Sequence, residues 1–232
     1  LMDLSTPQVM GILNVTPDSF YSGSRKQTEM EIAQRANQII EEGGSIIDVG
    51  AFSTRPGADE VSEEEEGRRL KFALDIVRRE QPDAAVSVDT YRPTLARKCI
   101  EEWGADIIND VSEGGITGIV NVPLEQRQEE YPEMFRVVGE LKVPYILMSV
   151  QPTLETMMKG FAREVQQLRD LGAKDIILDP GFCFGKNLIQ NYQIYNEMEK
   201  LNVMELPVLV GISRKSMIYK LLGGDATTSL NG

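Results

Sequence analysis

The chain has 232 residues, 41% hydrophobic and 26% charged, the proportions of an ordinary globular protein and enough for one large domain or two small ones. Its 36 acidic and 24 basic residues leave a formal net charge of −12, which repels phosphate backbones and argues against nucleic acid as a partner. No apolar run reaches the ~18 residues of a membrane span, and no basic-then-apolar leader follows Leu1.

Histidine is absent, which removes the commonest metal ligand and the side chain best suited to proton transfer near neutral pH. The two cysteines, Cys99 and Cys183, stand far apart among no other candidate ligands and read as reduced thiols of a cytoplasmic protein.

In chain order, the first β-rich run is Val9–Val15, which carries Asn14 near its end and is followed by Thr16, Pro17 and Asp18. The second, Ser45–Gly50, reads "IIDVG" with Asp48 and runs into "AFSTRPGA". Ser62 and Glu65 then form a predicted capping box, with Glu63–Glu66 as the solvated, acid-rich first turn of a helix. The third run, Ala85–Thr90, ends "SVDT" with Asp89, and the fourth, Asp106–Val111, contains Asn109 and Asp110. The connection from Ser112 to Tyr131, with Gly114, Gly115, Gly118 and Pro123, is long enough to predict mobility.

Met134, Val137, Val138 and Leu141 recur at helical spacing, and the strand Pro144–Met148 follows. Leu154, Met157, Phe161, Val165 and Leu168 mark the next helix, before the strand Asp175–Asp179 in "ILDPGF". The last run, Val208–Ser213, ends in Arg214, Lys215 and Ser216.

Seven β-then-α units without a composition break predict a parallel sheet in a single domain over residues 1–232. No Gly-rich dinucleotide fingerprint follows the first strand, which disfavours an open Rossmann sheet. The alternative is an α/β (β/α)8 TIM barrel, a fold that typically takes about 250 residues. Seven strands would leave two unpaired edges, so the eighth βα unit is expected to be missing from the C-terminus.

In such a barrel the C-terminal ends of the strands face the site. An Asp closing one strand is ordinarily a helix N-cap, but Asp48, Asp89, Asn109 and Asp179 are embedded in their apolar runs. Carboxylates buried together need a cationic or donor-rich partner, either Lys215 or a ligand. A flat ring with several N–H donors suits them, because a carboxylate accepts two parallel hydrogen bonds from a guanidine-like edge. Ser213–Ser216 and the Arg of "STRPG" are basic and lie where barrels hold phosphate. The expected pocket reads a nitrogen heterocycle at its floor and grips an anion at its rim; an ordinary solvated loop is the competing reading of the basic tetrapeptide.

The strings "MGILNVTPDSF", "DVGAFSTRPGA", "SVDTYRP", "IINDVS", "LDPGFCFGKN" and "GISRKS", spread over residues 10–216, together resemble the dihydropteroate synthases of folate biosynthesis, pterin-binding TIM barrels. The resemblance implies a transferase that joins 4-aminobenzoate to a dihydropterin methyl diphosphate and releases pyrophosphate with Mg²⁺ present. It implies that Asp89, Asn109, Asp179 and Lys215 hold the pterin, with Asp48 beside them, and that Asn14 contacts the metal on the diphosphate. Thr54, Arg55 and Pro56, with Phe20, Phe184, Lys215 and Ser216, would shape the aminobenzoate pocket, where sulfonamides act as mimics; Thr54 would also touch the pterin diphosphate. Lys215, Arg55 and Asp89 are the expected catalytic groups. A cytoplasmic homodimer is also implied.

Such chemistry separates diphosphate from a methylene carbon and lets a weakly basic aromatic amine attack. It calls for electrostatics and orientation, so a chain without histidine is not disqualified. Two departures stand out. Met148-Ser149-Val150-Gln151-Pro152 replaces the usual Met-His-Met-Arg-Gly, and the C-terminal unit expected to be missing is the one that in the family carries an Arg and a His at the anion end of the site. Cys183 stands where the family usually has Gly, as small filler. The rivals are a methyltetrahydrofolate-type methyltransferase barrel, which has no need of "STRPG" or "SRKS", and a homologue that binds pterin without catalysis.

Overall fold

A computed structural model describes residues 2–15, 25–52, 61–114 and 131–229. The chain divides into two compact units, Leu1–Asn109 and Asp110–Gly232.

The first unit alternates parallel strands and helices: β1 (Met10–Asn14), α1 (Arg25–Glu41), β2 (Ile46–Gly50), α2 (Glu63–Glu80), β3 (Ala85–Asp89), α3 (Pro93–Glu101) and β4 (Ile107–Asp110), whose last residue opens the second unit. Strands β1 to β4 pair in chain order, all parallel. Along each strand successive side chains alternate between faces. Leu13, Val49, Val88 and Ile108 share one face and are buried to 2% or less, as core requires. The helices close over this apolar face. At Gly11 a Cβ would come within 2.5 Å of Ile39, so α1 can lie against β1 only because residue 11 has no side chain.

Ser62 caps α2 by accepting from the Glu65 amide, but Glu65 turns its own carboxylate to Arg68 and Arg69 rather than back to the cap, so only half of the predicted box forms. The acidic first turn is not wholly solvated either. Glu66 is fully buried, accepting from Thr90 Oγ1 (2.6 Å) and Arg92 Nε (2.8 Å). Arg92 also donates to the Val61 carbonyl, which ties the end of β3 to the start of α2.

The second unit contains α4 (Glu133–Leu141), β5 (Tyr145–Met148), α5 (Leu154–Asp170), β6 (Ile176–Asp179), α6 (Leu188–Glu197), a 3-10 segment (Met198–Met204) and α7 (Ser216–Leu222). Strands β5 and β6 are parallel, with Met148 opposite Asp179. Thr153 caps α5, and Asn187 with Gln190 forms a reciprocal capping box on α6. The expected seventh strand, Val208–Ser213, is reduced to one parallel bridge between Val208 and Leu178, held by two hydrogen bonds of Leu178. An apolar run becomes a strand only where it finds a ladder. Val210, two residues on, is 38% exposed and lies outside any described ladder.

Most of the long connection after β4 lies outside the described residues; its first turn, 111–114, is described and buried. Among the described residues no helix is long and apolar enough to cross a membrane.

Candidate active site

In the first unit the strand register assembles the acidic cluster. Asn14, Gly50, Asp89 and Asn109 lie side by side across four strands, and Asp48 pairs with Ser87 in the row below. Because the side-chain period is two, Asp48 shares a face with Gly50, and Ser87 with Asp89, opposite the apolar face. Asn109 Nδ2 donates to Asp48 Oδ2 at 3.1 Å, and both residues are about 95% buried. Among the described residues, Asn109 Oδ1 and the fully buried Ser87 Oγ have no hydrogen-bond partner. They leave acceptor capacity beside Asp48 for a ligand that donates.

Gly50 is the residue this row depends on. A Cβ there would sit 3.1 Å from Asn14 Oδ1 and 3.4 Å from Asp89 Oδ2. Glycine lets two oxygen-bearing side chains lean over the end of β2 from either side. In the sequence Gly50 reads only as a strand end, although a glycine closing an otherwise branched, buried run is the usual sign of close approach.

In the second unit Asp179 ends β6 and accepts from the Gly181 amide at 2.8 Å. Burial pushes its carboxyl up, while that amide, Lys215 and Lys186 draw it back down. Lys215, the residue before α7, donates from Nζ to the Phe182 carbonyl at 2.9 Å and stands 4.8 Å over the Phe184 ring. Burial pushes its ammonium down and Asp179 holds it up. The two groups thus stabilise each other's charged forms against desolvation. Ser216 sits beside them, with its Oγ 3.5 Å from Cys183 Sγ. Asp179, Phe184, Lys215 and Ser216 are therefore one neighbourhood in the second unit, as Asn14, Asp48, Asp89 and Asn109 are in the first. Phe20, Thr54, Arg55 and Pro56 lie outside the described residues.

Asp110 has a different task from its neighbour Asn109. It is fully buried and accepts from the Ser112 amide and hydroxyl, the Gly114 amide and the Tyr145 hydroxyl. It builds the turn after β4 and uses its acceptors within the protein. The unusual segment Ser149–Gln151 is likewise integrated: it is buried, and the Val150 amide donates to Glu113 Oε1 at 2.9 Å.

Cys183 adopts a φ of 69°, a left-handed conformation that costs a side chain about 1–2 kcal/mol. Glycine relieves that strain but loses more entropy on folding, by about 0.5–1 kcal/mol. Cys183→Gly is therefore expected to stabilise the protein by about 0.5 kcal/mol, a rise of 1–2 °C in the thermal midpoint by the ~2–4 °C per kcal/mol usual at this size. A fall in the midpoint would show the thiol to be a packing element rather than filler.

Comparison with known proteins gives a consistent answer. The pterin binding enzyme family matches residues 10–229. A dihydropteroate synthase of Escherichia coli K12 is 37% identical over 246 aligned positions, covering all of this chain and 81% of that protein. One from Streptococcus pyogenes serotype M3 is 36% identical, covering 94% and 79%. Among solved structures, the Xanthomonas albilineans dihydropteroate synthase with 4-aminobenzoic acid superposes with a TM-score of 0.80 at 32% identity, covering 94% of this chain and 77% of that one. The Yersinia pestis enzyme in a sulfonamide drug complex gives 0.78 at 34%, covering 97% and 82%.

Proposed function

The chain belongs to the pterin-binding enzyme family, and on that premise we infer that it carries out the dihydropteroate synthase reaction of folate biosynthesis. It condenses 4-aminobenzoate with (7,8-dihydropterin-6-yl)methyl diphosphate, giving 7,8-dihydropteroate and pyrophosphate. The observation that carries the reading is the registered row Asn14–Gly50–Asp89–Asn109 with Asp48 beneath it, an acceptor-rich strip on the polar face of a parallel sheet.

The assignment of residues follows the same chemistry. Asp89, Asn109 and Asp179 accept from the pterin's N–H edge, with Asp48 orienting Asn109 through their hydrogen bond. Lys215 holds the ring from its partly buried ammonium and, with Ser216 and Phe184, borders the aminobenzoate. Phe20, Thr54, Arg55 and Pro56 complete the aminobenzoate and diphosphate contacts by motif match alone. What these groups supply is orientation of the amine toward the methylene carbon and compensation for charge that shifts as the diphosphate departs.

Mg²⁺ fits this chain at Asn14. Asn14 Oδ1 and Asp89 Oδ2 converge over Gly50, and hard oxygen donors suit magnesium, which usually keeps most of its ligands as water and phosphate. Among the described residues no cluster of three carboxylates or thiols could hold a metal by itself, so the diphosphate itself would supply ligands. Bound there, the ion would supply positive charge against the departing diphosphate. A cytoplasmic location fits two free thiols, one of them fully buried, and a homodimeric assembly belongs to the same reading.

The test is pyrophosphate release by the purified protein. Release is expected only when the pterin diphosphate, 4-aminobenzoate and Mg²⁺ are all present, and 4-aminobenzoate-competitive inhibition by a sulfonamide should accompany it. Pterin binding without release would make the protein a non-catalytic homologue. Methyl transfer from a methylated folate would place it with the corrinoid-dependent barrels.

A further inference from the structure

Lys186 has no part in the assignments above, yet its surroundings are not those of a surface lysine. Its Nζ donates to three main-chain carbonyls, of Ser149 at 2.9 Å, Gly181 at 3.0 Å and Phe184 at 3.0 Å. An ammonium has three N–H donors and no acceptor, so its valence is filled by backbone alone. Burial pushes this ammonium down to about 7, with Asp179 opposing the shift and Lys215 adding to it. The residue is half-buried, but its ammonium is wrapped by main chain, at a desolvation cost that a surface lysine does not bear.

The loop it holds needs holding. Gly181, Cys183 and Gly185 all have φ between 62° and 69°, three left-handed residues in five. The two glycines adopt it freely, but at Cys183 it is strained and persists only where the surroundings over-determine it. Here the Phe184 amide donates to the Gly181 carbonyl, and the Cys183 amide to Asn191 Oδ1 at 2.6 Å. Asn191 in turn donates from Nδ2 to the Lys186 and Asn187 carbonyls. Lys186 closes the loop from the other side and ties it to the end of β5 through Ser149. Because that contact uses the Ser149 carbonyl, it does not depend on which side chain occupies position 149.

What the loop presents is the seat of Lys215: the Phe182 carbonyl that accepts from Nζ and the Phe184 ring beneath it. We propose that Lys186 is a positioning residue that fixes the 181–184 loop and thereby sets where Lys215 stands. The proposal rests on the function inferred above only in taking Lys215 as a pterin contact.

Two measurements on Lys186→Met separate the clamp from that reading. In the ligand-free protein, amide hydrogen exchange at Cys183 and Phe184 is expected to quicken at least about tenfold, while the amides of α5 stay unchanged. Affinity for (7,8-dihydropterin-6-yl)methyl diphosphate, followed by pterin fluorescence, is expected to weaken about tenfold in the wild-type background and less than about twofold in a Lys215→Ala background. Residues acting through one another are non-additive in this way. Unchanged exchange, or equal losses in both backgrounds, overturns the proposal. Quickened exchange in a protein that binds no pterin leaves the clamp standing and removes the function. Lys186→Gln, which keeps two donors, should fall between wild type and Lys186→Met in both measurements; should Lys186→Met not fold, an unaltered Lys186→Gln would count against the proposal.

Discussion

Lys215→Ala is expected to lower kcat/KM for dihydropteroate formation by about 10³-fold while moving the thermal midpoint by no more than about 5 °C. The first figure is the usual cost of deleting one preorganised donor in a water-poor site. The second follows from what Lys215 contributes to the fold: one hydrogen bond to the Phe182 carbonyl and a cation–ring contact with Phe184, each worth about 1 kcal/mol. Releasing a desolvated ammonium offsets part of that loss. A second signature comes through Asp179. Its carboxyl already lies above the ordinary aspartate value because of burial, and Lys215 is one of the groups that draw it down. Without the lysine the carboxyl rises further, so a higher pH is needed to ionise it. The acid limb of the variant's residual pH–rate profile should therefore move upward. Steady-state kinetics from pH 5 to 9 beside thermal unfolding would check both. Activity and stability falling in step, or a loss below tenfold, would return Lys215 to the role of an ordinary loop residue.

Much of this site is legible in the sequence because it breaks a pattern. All five residues of β2 are buried, as are all four of β4, and a continuous buried run has no cheap place for Asp48 or Asn109. The polar residue inside the apolar string is the signal. Asp110 carries the same signal with a different meaning. Nothing in "IINDV" tells a carboxylate kept for a ligand from one consumed by four donors of its own loop; only the positions of Ser112, Gly114 and Tyr145 decide that.

Lys186 was invisible for the opposite reason. Its partners are backbone carbonyls, which every residue possesses, so a half-buried clamp and a solvated lysine in a Gly-rich loop read alike. Glu66 could have been found. It stands four residues before Leu70, seven before Ala73 and eight before Leu74, on the buried stripe of α2, but the surrounding acidic run hid it. The seventh strand shows the limit of periodicity itself, since an apolar run reports a preference for burial and says nothing about whether a neighbouring strand supplies a ladder. Thr54, Arg55 and Pro56 rest on motif match alone.

Asp110→Ala is expected to destabilise the second unit strongly, by about 3–5 kcal/mol. The carboxylate is fully buried, and burial pushes its pKa up even though four donors converge on it. Deleting it removes that desolvation penalty but strands two amides and two hydroxyls in a dry site, at about 1–3 kcal/mol for each donor that finds no substitute. Some will recover partners as the turn relaxes, which sets the net below the sum. At about 2–4 °C per kcal/mol for a chain of this size, the midpoint should fall by roughly 10 °C. Tyr145→Phe, which deletes one of the four donors and leaves the carboxylate three, should cost only about 1 kcal/mol. Urea unfolding of the two variants beside wild type gives both numbers. The turn also follows directly on Asn109, so Asp110→Ala should weaken pterin binding as well, whereas Tyr145→Phe should leave it nearly intact. If Asp110→Ala lost less than 1 kcal/mol, water must reach the four donors, and the carboxylate would be available to a ligand after all.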